Sequence, residues 1–537
     1  MKLKYLFLAL VFAVSASSFS AFADDNDEEL KRKINEAVMG VYDKHLTQDP
    51  SNYEVRFARA NQYYFNGEYE NALADVSRCI SETPEKESDL LFDELMLRAK
   101  LYDELNQLNN ENADLKRAFT LKPSALNCVD MMAKLALKQN ELEIAENNFN
   151  VILRKEPNNF DALYGLAQVD AKRNNYEKAF EYANRAVTLF PAEQQVYLNR
   201  SNILEMSGQY DVAAQDLIIA MSVSDDVSKP IARLVEMSDT HYNAVMSSLQ
   251  EAIDKAPNVG MFYYVRSAIA MQHQHYGQAL RNLRSIISYN LYDYHTVYAN
   301  AARCHYELMQ YDEALVNINK AIEQMYLPEY FVLKSKIELM RGKGNNYKAA
   351  TDAVEQALSL DKTNSDALLQ MARLLLAQRK DKEAVAQLDA AIKAHPDCNE
   401  ALLLRGWLLK YRLNNVSAAN LDFATILQNG VNMASLRGFA LHEMGRADEA
   451  RAWAQQIIQD NPLPGGESYY NAAALLSDMG DNAAAMKYFE SALANGYGSL
   501  FNVKINEVPY VNLKLLRRDS GFNQMLSNYQ SNFQERE

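Results

Sequence analysis

The chain has 537 residues, with 55 Lys+Arg against 70 Asp+Glu and a formal net charge of −15 at pH 7. That length allows several domains of ordinary size, and the acidic balance, with no basic tract, excludes a general ligand for nucleic-acid phosphates. Hydrophobic residues make up 48%, enough for a core, and only 18 Gly and 12 Pro favour helices joined by short turns.

Residues 1–23 read as a secretory signal: Lys2 and Lys4 start it, residues 6–14 form an apolar run, and Ala21-Phe22-Ala23 offers a small-x-small cleavage site. The run is short for a membrane span, Ser15, Ser17, Ser18 and Ser20 dilute its end, and no later stretch has 18 consecutive apolar residues. The expectation is an exported chain beginning at Asp24, without a transmembrane anchor after cleavage, periplasmic if the source cell has two membranes and secreted otherwise. Its four cysteines, Cys79, Cys128, Cys304 and Cys398, are widely spaced with no C-x-x-C pair, and read as core residues.

Residues 24–52 then read as one solvated capping helix whose acidic start suits a helix N-terminus. From residue 53 two rulers set a period near 34. Prolines at 50, 84, 123, 157, 191, 257, 396 and 462 keep it, allowing for a surplus at 341–346. Ala72, Ala145, Ala179, Ala213, Ala279, Ala314, Ala350, Ala384, Ala418, Ala450 and Ala485 keep it independently, with Val245 filling one gap. About thirteen units result: five over 53–225, a degenerate one over 226–257 in which Pro230 predicts a kink, and seven more over 258–497. Residues 498–537 read as a helical capping segment. Each unit is a pair of amphipathic helices. In residues 298–322, Tyr298, Ala301, Ala302 and His305 share one face, and Tyr311, Ala314, Leu315, Ile318, Ala321 and Ile322 follow a second helix after a short turn. Small residues such as Ala302 and Ala314 let the two axes approach. No pair buries both faces alone, so neighbours stack, and residues more than two repeats apart are expected not to touch.

This pattern resembles the tetratricopeptide repeat family over nearly all of the chain after residue 23. Residues 158–191 supply Leu163, Leu166, Ala167, Tyr176, Ala179, Ala183, Ala186 and Pro191; residues 51–84 supply Ala60, Tyr63, Gly67, Tyr69, Ala72 and Pro84; residues 431–462 supply Gly438, Leu441, Gly445, Ala450 and Pro462. The resemblance implies an all-α, right-handed superhelical solenoid of about thirteen stacked helix pairs with helical caps, whose first helices line a concave groove that holds protein partners.

Chemistry-bearing motifs are sparse. His273-Gln274-His275 is a close pair in what reads as a solvated turn, short of a metal's ligand count. His442-Glu443 lacks a second His, Ser359-Leu360-Asp361-Lys362 lacks the motifs that accompany S-x-x-K in its enzymes, and the acidic stretch 24–29 lacks the spacing and glycine of a calcium loop. The expectation is a non-enzyme with no cofactor and no metal. In the groove that the resemblance implies, residues one and four places after the small residue of each first helix face the partner. Arg303, Lys336, Arg373 and Lys410 then carry positive charge through four successive repeats, and residues 262–330 hold eleven of the 32 tyrosines. The partner-binding candidates are Tyr64, Tyr264, Arg303, Tyr306, Lys336, Arg373, Trp407 and Lys410, aromatic and basic types that anchor interfaces, for an extended, partly anionic segment of a protein. The alternative is a carbohydrate-handling protein in which Tyr64, Tyr306 and Trp407 stack on sugars. The family's carboxylate clamp is not carried over, because Phe57 and Leu198 stand where its lysine is expected.

Overall fold

The computed structural model describes residues 25–84, 86–291, 294–341, 347–429, 434–460, 464–504, 513 and 515–534. The signal at 1–23, Asp24 and most of the surplus at 341–346 therefore lie outside the described residues, while the rest of the acidic stretch, 25–29, opens the first helix. Among those described, the regular elements are α-helices with a few 3-10 turns and no strand. The chain divides into two compact units between Ser248 and Leu249.

Unit 1 opens with α1 (Asp25–Gln48) and continues in pairs: α2/α3 (Tyr53–Phe65, Tyr69–Glu82), α4/α5 (Ser88–Glu104, Leu108–Leu121), α6/α7 (Leu126–Lys138, Leu142–Lys155), α8/α9 (Phe160–Lys172, Tyr176–Leu189) and α10/α11 (Gln194–Met206, Tyr210–Ser222). The helix α12 (Ser228–Lys255) crosses the division. Unit 2 holds α13/α14 (Gly260–Gln272, Tyr276–Ser288), α15/α16 (His295–Glu307, Tyr311–Gln324), α17/α18 (Pro328–Arg341, Tyr347–Leu360), α19/α20 (Ser365–Ala377, Asp381–Ala394), α21/α22 (Asn399–Tyr411, Val416–Gln428), α23/α24 (Ala434–Glu443, Ala447–Asp460) and α25/α26 (Glu467–Asp478, Asn482–Ala494), then α27 (Leu500–Lys504) and α28 (Ser520–Asn528).

Local chemistry sets these boundaries. Pro50-Ser51-Asn52 and Pro157-Asn158-Asn159 each end one helix and start the next. The proline cannot continue a helix, and the Asn side chain accepts from the backbone N–H three residues on, at 3.0 Å for Asn52 and 2.9 Å for Asn159. Within pairs the turn needs one left-handed residue, supplied by Gly67, Gly208, Gly445 and Gly480, by Asn106, Asn140, Asn174 and Asn414, or by Gln274, Met309 and Arg379.

The alanine ruler is the core. Ten of its eleven positions, and Val245, are fully buried, and on first helices Ala60, Ala133, Ala167, Ser201, Ser267, Ala302, Ser335 and Ala372 are likewise at 0% exposure; Ala99 is too, but its pair has Glu111 in the ruler's place. The eleventh is corrected by one residue. Ala419, not Ala418, is buried, because the turn between α21 and α22 is one residue longer. The kink in the degenerate repeat also moves. Pro230 sits in the first turn of α12, where its missing N–H has no intrahelical acceptor to lose. The break is at His241 (φ −128°, ψ 45°), whose ring stacks on Tyr210. The two halves of α12 keep Ser238 and Val245 buried as a helix pair would.

A further regularity escapes hydrophobic patterning. Arg59, Arg98 and Arg200, each just before the small residue of a first helix, form two-pronged ion pairs with Asp75, Asp114 and Asp216 on the second helix, 16 residues later, at 2.6–2.8 Å. Arg405 does the same with Asp422, 17 residues later, consistent with the longer turn. In α23/α24 the Arg437 guanidinium lies over the Trp453 ring instead, 5.4 Å from its centre. Asp216 is 2% exposed, and burial pushes its carboxyl upward against the pull of Arg200. Replacing Arg200 by Met strands that carboxylate and is expected to destabilise unit 1 by about 3 kcal/mol, whereas Asp216→Asn, which leaves Arg200 near water, costs about half as much. Urea unfolding of both variants checks the order, and equal losses would show that desolvated charge is not what the pair relieves.

Candidate functional site

First helices of successive pairs touch one another directly (α6 with α8, α8 with α10, α17 with α19, α21 with α23), and second helices do so far less. Each unit's array therefore curves with first helices on its inner face, and side chains there have protein on several sides while remaining open to solvent.

In unit 1 the inner face forms a cleft of about 370 Å³ across α4–α10. Tyr164 anchors one wall, its hydroxyl accepting from Gln168 Nε2 at 3.0 Å and from Asn202 Nδ2 at 2.8 Å. Gln195 donates to Asn199 at 2.8 Å. Asp103 pairs with Lys138, and Lys134 with Asp130 at 2.7 Å. Glu111 is 3% exposed, and burial, with the charge of Asp103 adding to it, pushes its carboxyl up to about 7. None of these groups is among the partner-binding candidates read from sequence, because polar residues at such positions look like ordinary solvated ones until the helices are stacked. Of the candidates, Tyr64 belongs to unit 1, half-buried, its ring 5.9 Å from that of Tyr69.

Unit 2 holds the other seven candidates. Arg303 is exposed, and Lys336, Arg373, Trp407 and Lys410 are half-buried. Lys336 is pulled below the ordinary lysine range by burial and then by the charges of Arg373 and Arg303, so these three cations do share one face. They share it with acids. Arg373 pairs with Glu400, and Lys410 Nζ lies 2.8 Å from Glu443 Oε2. Trp407 is flanked by Tyr411 and by the Arg412 guanidinium, each 5.7 Å from its ring centre. Tyr264 is 1% exposed, a core residue with its hydroxyl 3.5 Å from Thr296 Oγ1, and Tyr306 is 6% exposed.

What covers Tyr306 is the chain's own C-terminal part. The Phe501 ring of α27 packs on it with centroids 4.7 Å apart, and the Ser499 hydroxyl donates to Glu307 at 2.5 Å. Gln274 donates to Glu467 at 3.0 Å, a pair 193 residues apart in sequence. Gly465, Gly496 and Gly498 press on the 273–275 turn so closely that a Cβ on any of them would fall within 2.4 Å of its atoms. The expectations of an open stack and of a solvated His273 turn are thereby corrected. The last pair of unit 2 meets the first, and His273 is 5% exposed, its imidazole lowered to about 4 by burial and by the neighbouring His275. The signal available in sequence was the clustering of five of the chain's 18 glycines within 465–498. Among the described residues no group of three His, Cys, Asp or Glu is placed to hold a metal ion, and no helix is long and apolar enough to cross a membrane. Cys79, Cys128, Cys304 and Cys398 are free thiols, the first three buried.

Family models described as tetratricopeptide repeat match residues 131–194, 343–408 and 466–494. In sequence the chain is similar to the BBSome complex member BBS4 of Bos taurus, 22% identical over 391 residues, which span 73% of this chain and 64% of that protein's length. Among solved structures it is similar to yeast Tom70 (15% identity, 77% of this chain and 98% of that chain, TM-score 0.34) and to a tetratricopeptide repeat protein from Parabacteroides merdae (14%, 54% and 98%, TM-score 0.28).

The closure of unit 2 is tested with two glycines of like backbone. Gly496 (φ +91°) and Gly480 (φ +81°) both strain on substitution by Ala, at about 1–2 kcal/mol, yet only Gly496 faces the His275 ring. Gly496→Ala is expected to speed amide hydrogen exchange of the 274–276 turn by about tenfold or more, and Gly480→Ala to leave it unchanged; equal exchange in both variants would dissolve the contact.

Proposed function

The chain is a tetratricopeptide repeat protein, and on that premise we propose that it is a non-enzymatic, exported scaffold of the cell envelope that holds protein segments along the inner faces of its helix pairs. The observation that carries the reading is the unit 1 cleft. Beside its apolar residues it carries amide, hydroxyl and carboxyl groups on successive first helices. Polar groups arranged along a groove satisfy the backbone of an extended segment, and stacked repeats supply the length.

In unit 2 Arg303 is exposed and Lys336 half-buried, with Glu307 near both, and an anionic stretch of the partner suits the two cations. Arg373 and Lys410 answer to Glu400 and Glu443 and act there by shaping the face. The sugar-stacking alternative has no observation in its favour at Tyr306, whose ring lies beneath Phe501. Export rests on the charged, apolar and small-residue pattern of residues 1–23.

A photoreactive residue placed in cells at Gln168 or at Arg303 is expected to yield discrete protein adducts, and one at Lys178, exposed on the second helix α9, none. Adducts from Lys178 alone would overturn the inner-face reading. N-terminal sequencing of the purified native protein is expected to begin at Asp24, and a retained Met1 would remove the exported part of the proposal.

A further inference from the structure

Glu111, the fourth residue of α5, is the unusual member of the unit 1 cleft. Its Oε2 is buried and has no hydrogen-bond partner. A buried carboxyl oxygen in that condition costs stability, and this one belongs to a residue that lines an open cleft. Lys138 is paired with Asp103 and Lys134 with Asp130, so neither bonds Glu111, although the charge of Lys138 is felt there. Asp161 adds a further carboxylate at the mouth. The unmet demand of the cleft is thus for a hydrogen-bond donor carrying positive charge. Met131 and Leu135, which pack in the same core cluster as Leu115 and Ala118 of α5, give the cleft an apolar stretch of wall.

We propose that this cleft is a socket for one basic side chain, lysine or arginine, of a protein segment lying along the inner face of unit 1, with Glu111 bonding the charged end and Met131 and Leu135 packing its aliphatic stem. The inference rests on the inner-face reading above and names what that face selects. An ammonium or guanidinium group gives Glu111 the charge-assisted hydrogen bond it lacks. The methylene stem of either side chain covers apolar wall while its head stays polar. Gln168, Gln195 and Asn199 extend from the socket along neighbouring first helices and offer donors and acceptors to a peptide backbone. A free amine would leave them unused, which favours a segment over a small molecule. The upward push on the Glu111 carboxyl fits a group waiting for a cation, since a positive charge beside it would restore ionisation.

The test is selection of random dodecamer peptides on the full-length protein, on Glu111→Gln and on Glu177→Gln, which removes an exposed acid of α9 outside the cleft. The wild type and Glu177→Gln are expected to enrich Lys or Arg at one fixed position, and Glu111→Gln to lose that enrichment. A selected peptide, made with lysine and with norleucine at that position, is then compared by fluorescence anisotropy. Norleucine is expected to weaken binding about tenfold on the wild type and less than about twofold on Glu111→Gln. The same basic enrichment on all three proteins, or an equal loss with norleucine on both, overturns the socket. So does 1,5-diaminopentane binding as tightly as the lysine peptide, which would make the site one for a free amine. If Glu111→Gln leaves the adduct at Gln168 undiminished, the socket falls and the scaffold stands; if Gln168 gives no adduct in the wild type, the inner-face reading falls too.

Discussion

Everything else in this molecule depends on how closely the two helices of a pair approach. Where Ala302 faces Ala314, or Ala372 faces Ala384, neither side chain retains any exposure, and the axes are as near as backbone atoms permit. A leucine at either place would hold them apart. Repeated along the chain, that contact fixes the thickness of each layer and so the angle at which the next one stacks. The inner face is a product of that angle, and its polar residues have positions only because the alanines behind them have theirs.

The Arg–Asp pairs work on the same joint from its polar side. They span first and second helix just beyond the small residues, so the apolar contact sets the distance and the ion pair limits sliding. A planar guanidinium meeting a carboxylate through two parallel bonds tolerates little shift along the axis. The pair α21/α22 shows how the two contacts move together. An extra turn residue displaces both the buried alanine, to Ala419, and the ion-paired acid, to Asp422, by one place.

The period, the pairing and the core were legible in sequence because they repeat, and repetition averages out local exceptions. Ten of the eleven alanines chosen on spacing alone are fully buried. Single events were not legible. The break in α12 falls at His241, which carries no backbone signature of its own, and not at Pro230, whose constraint is harmless in a first turn. The site suffered more, because a groove residue is defined by what lies across from it. Position within the repeat groups Arg303, Lys336 and Arg373, yet nothing in their own repeats announces Phe501 or Glu400 as neighbours. Glu111 is an acid among 70 in the list of residues, and it becomes distinctive only when its burial and missing partner are known.

The meeting of the 273–275 turn with residues 465–498 also bears on how unit 2 comes into being. An open array can nucleate anywhere and grow by nearest-neighbour steps, each repeat stabilised as soon as the next arrives. A contact bridging 193 residues cannot form that way. It exists only after the intervening pairs have set their curvature, and it has to overcome the entropy of joining distant ends. During synthesis the first pair of unit 2 leaves the ribosome long before its counterpart, with the underside of its turn bare. The final step of folding is then the seating of α26 and α27, which converts a string of additive layers into a single cooperative body.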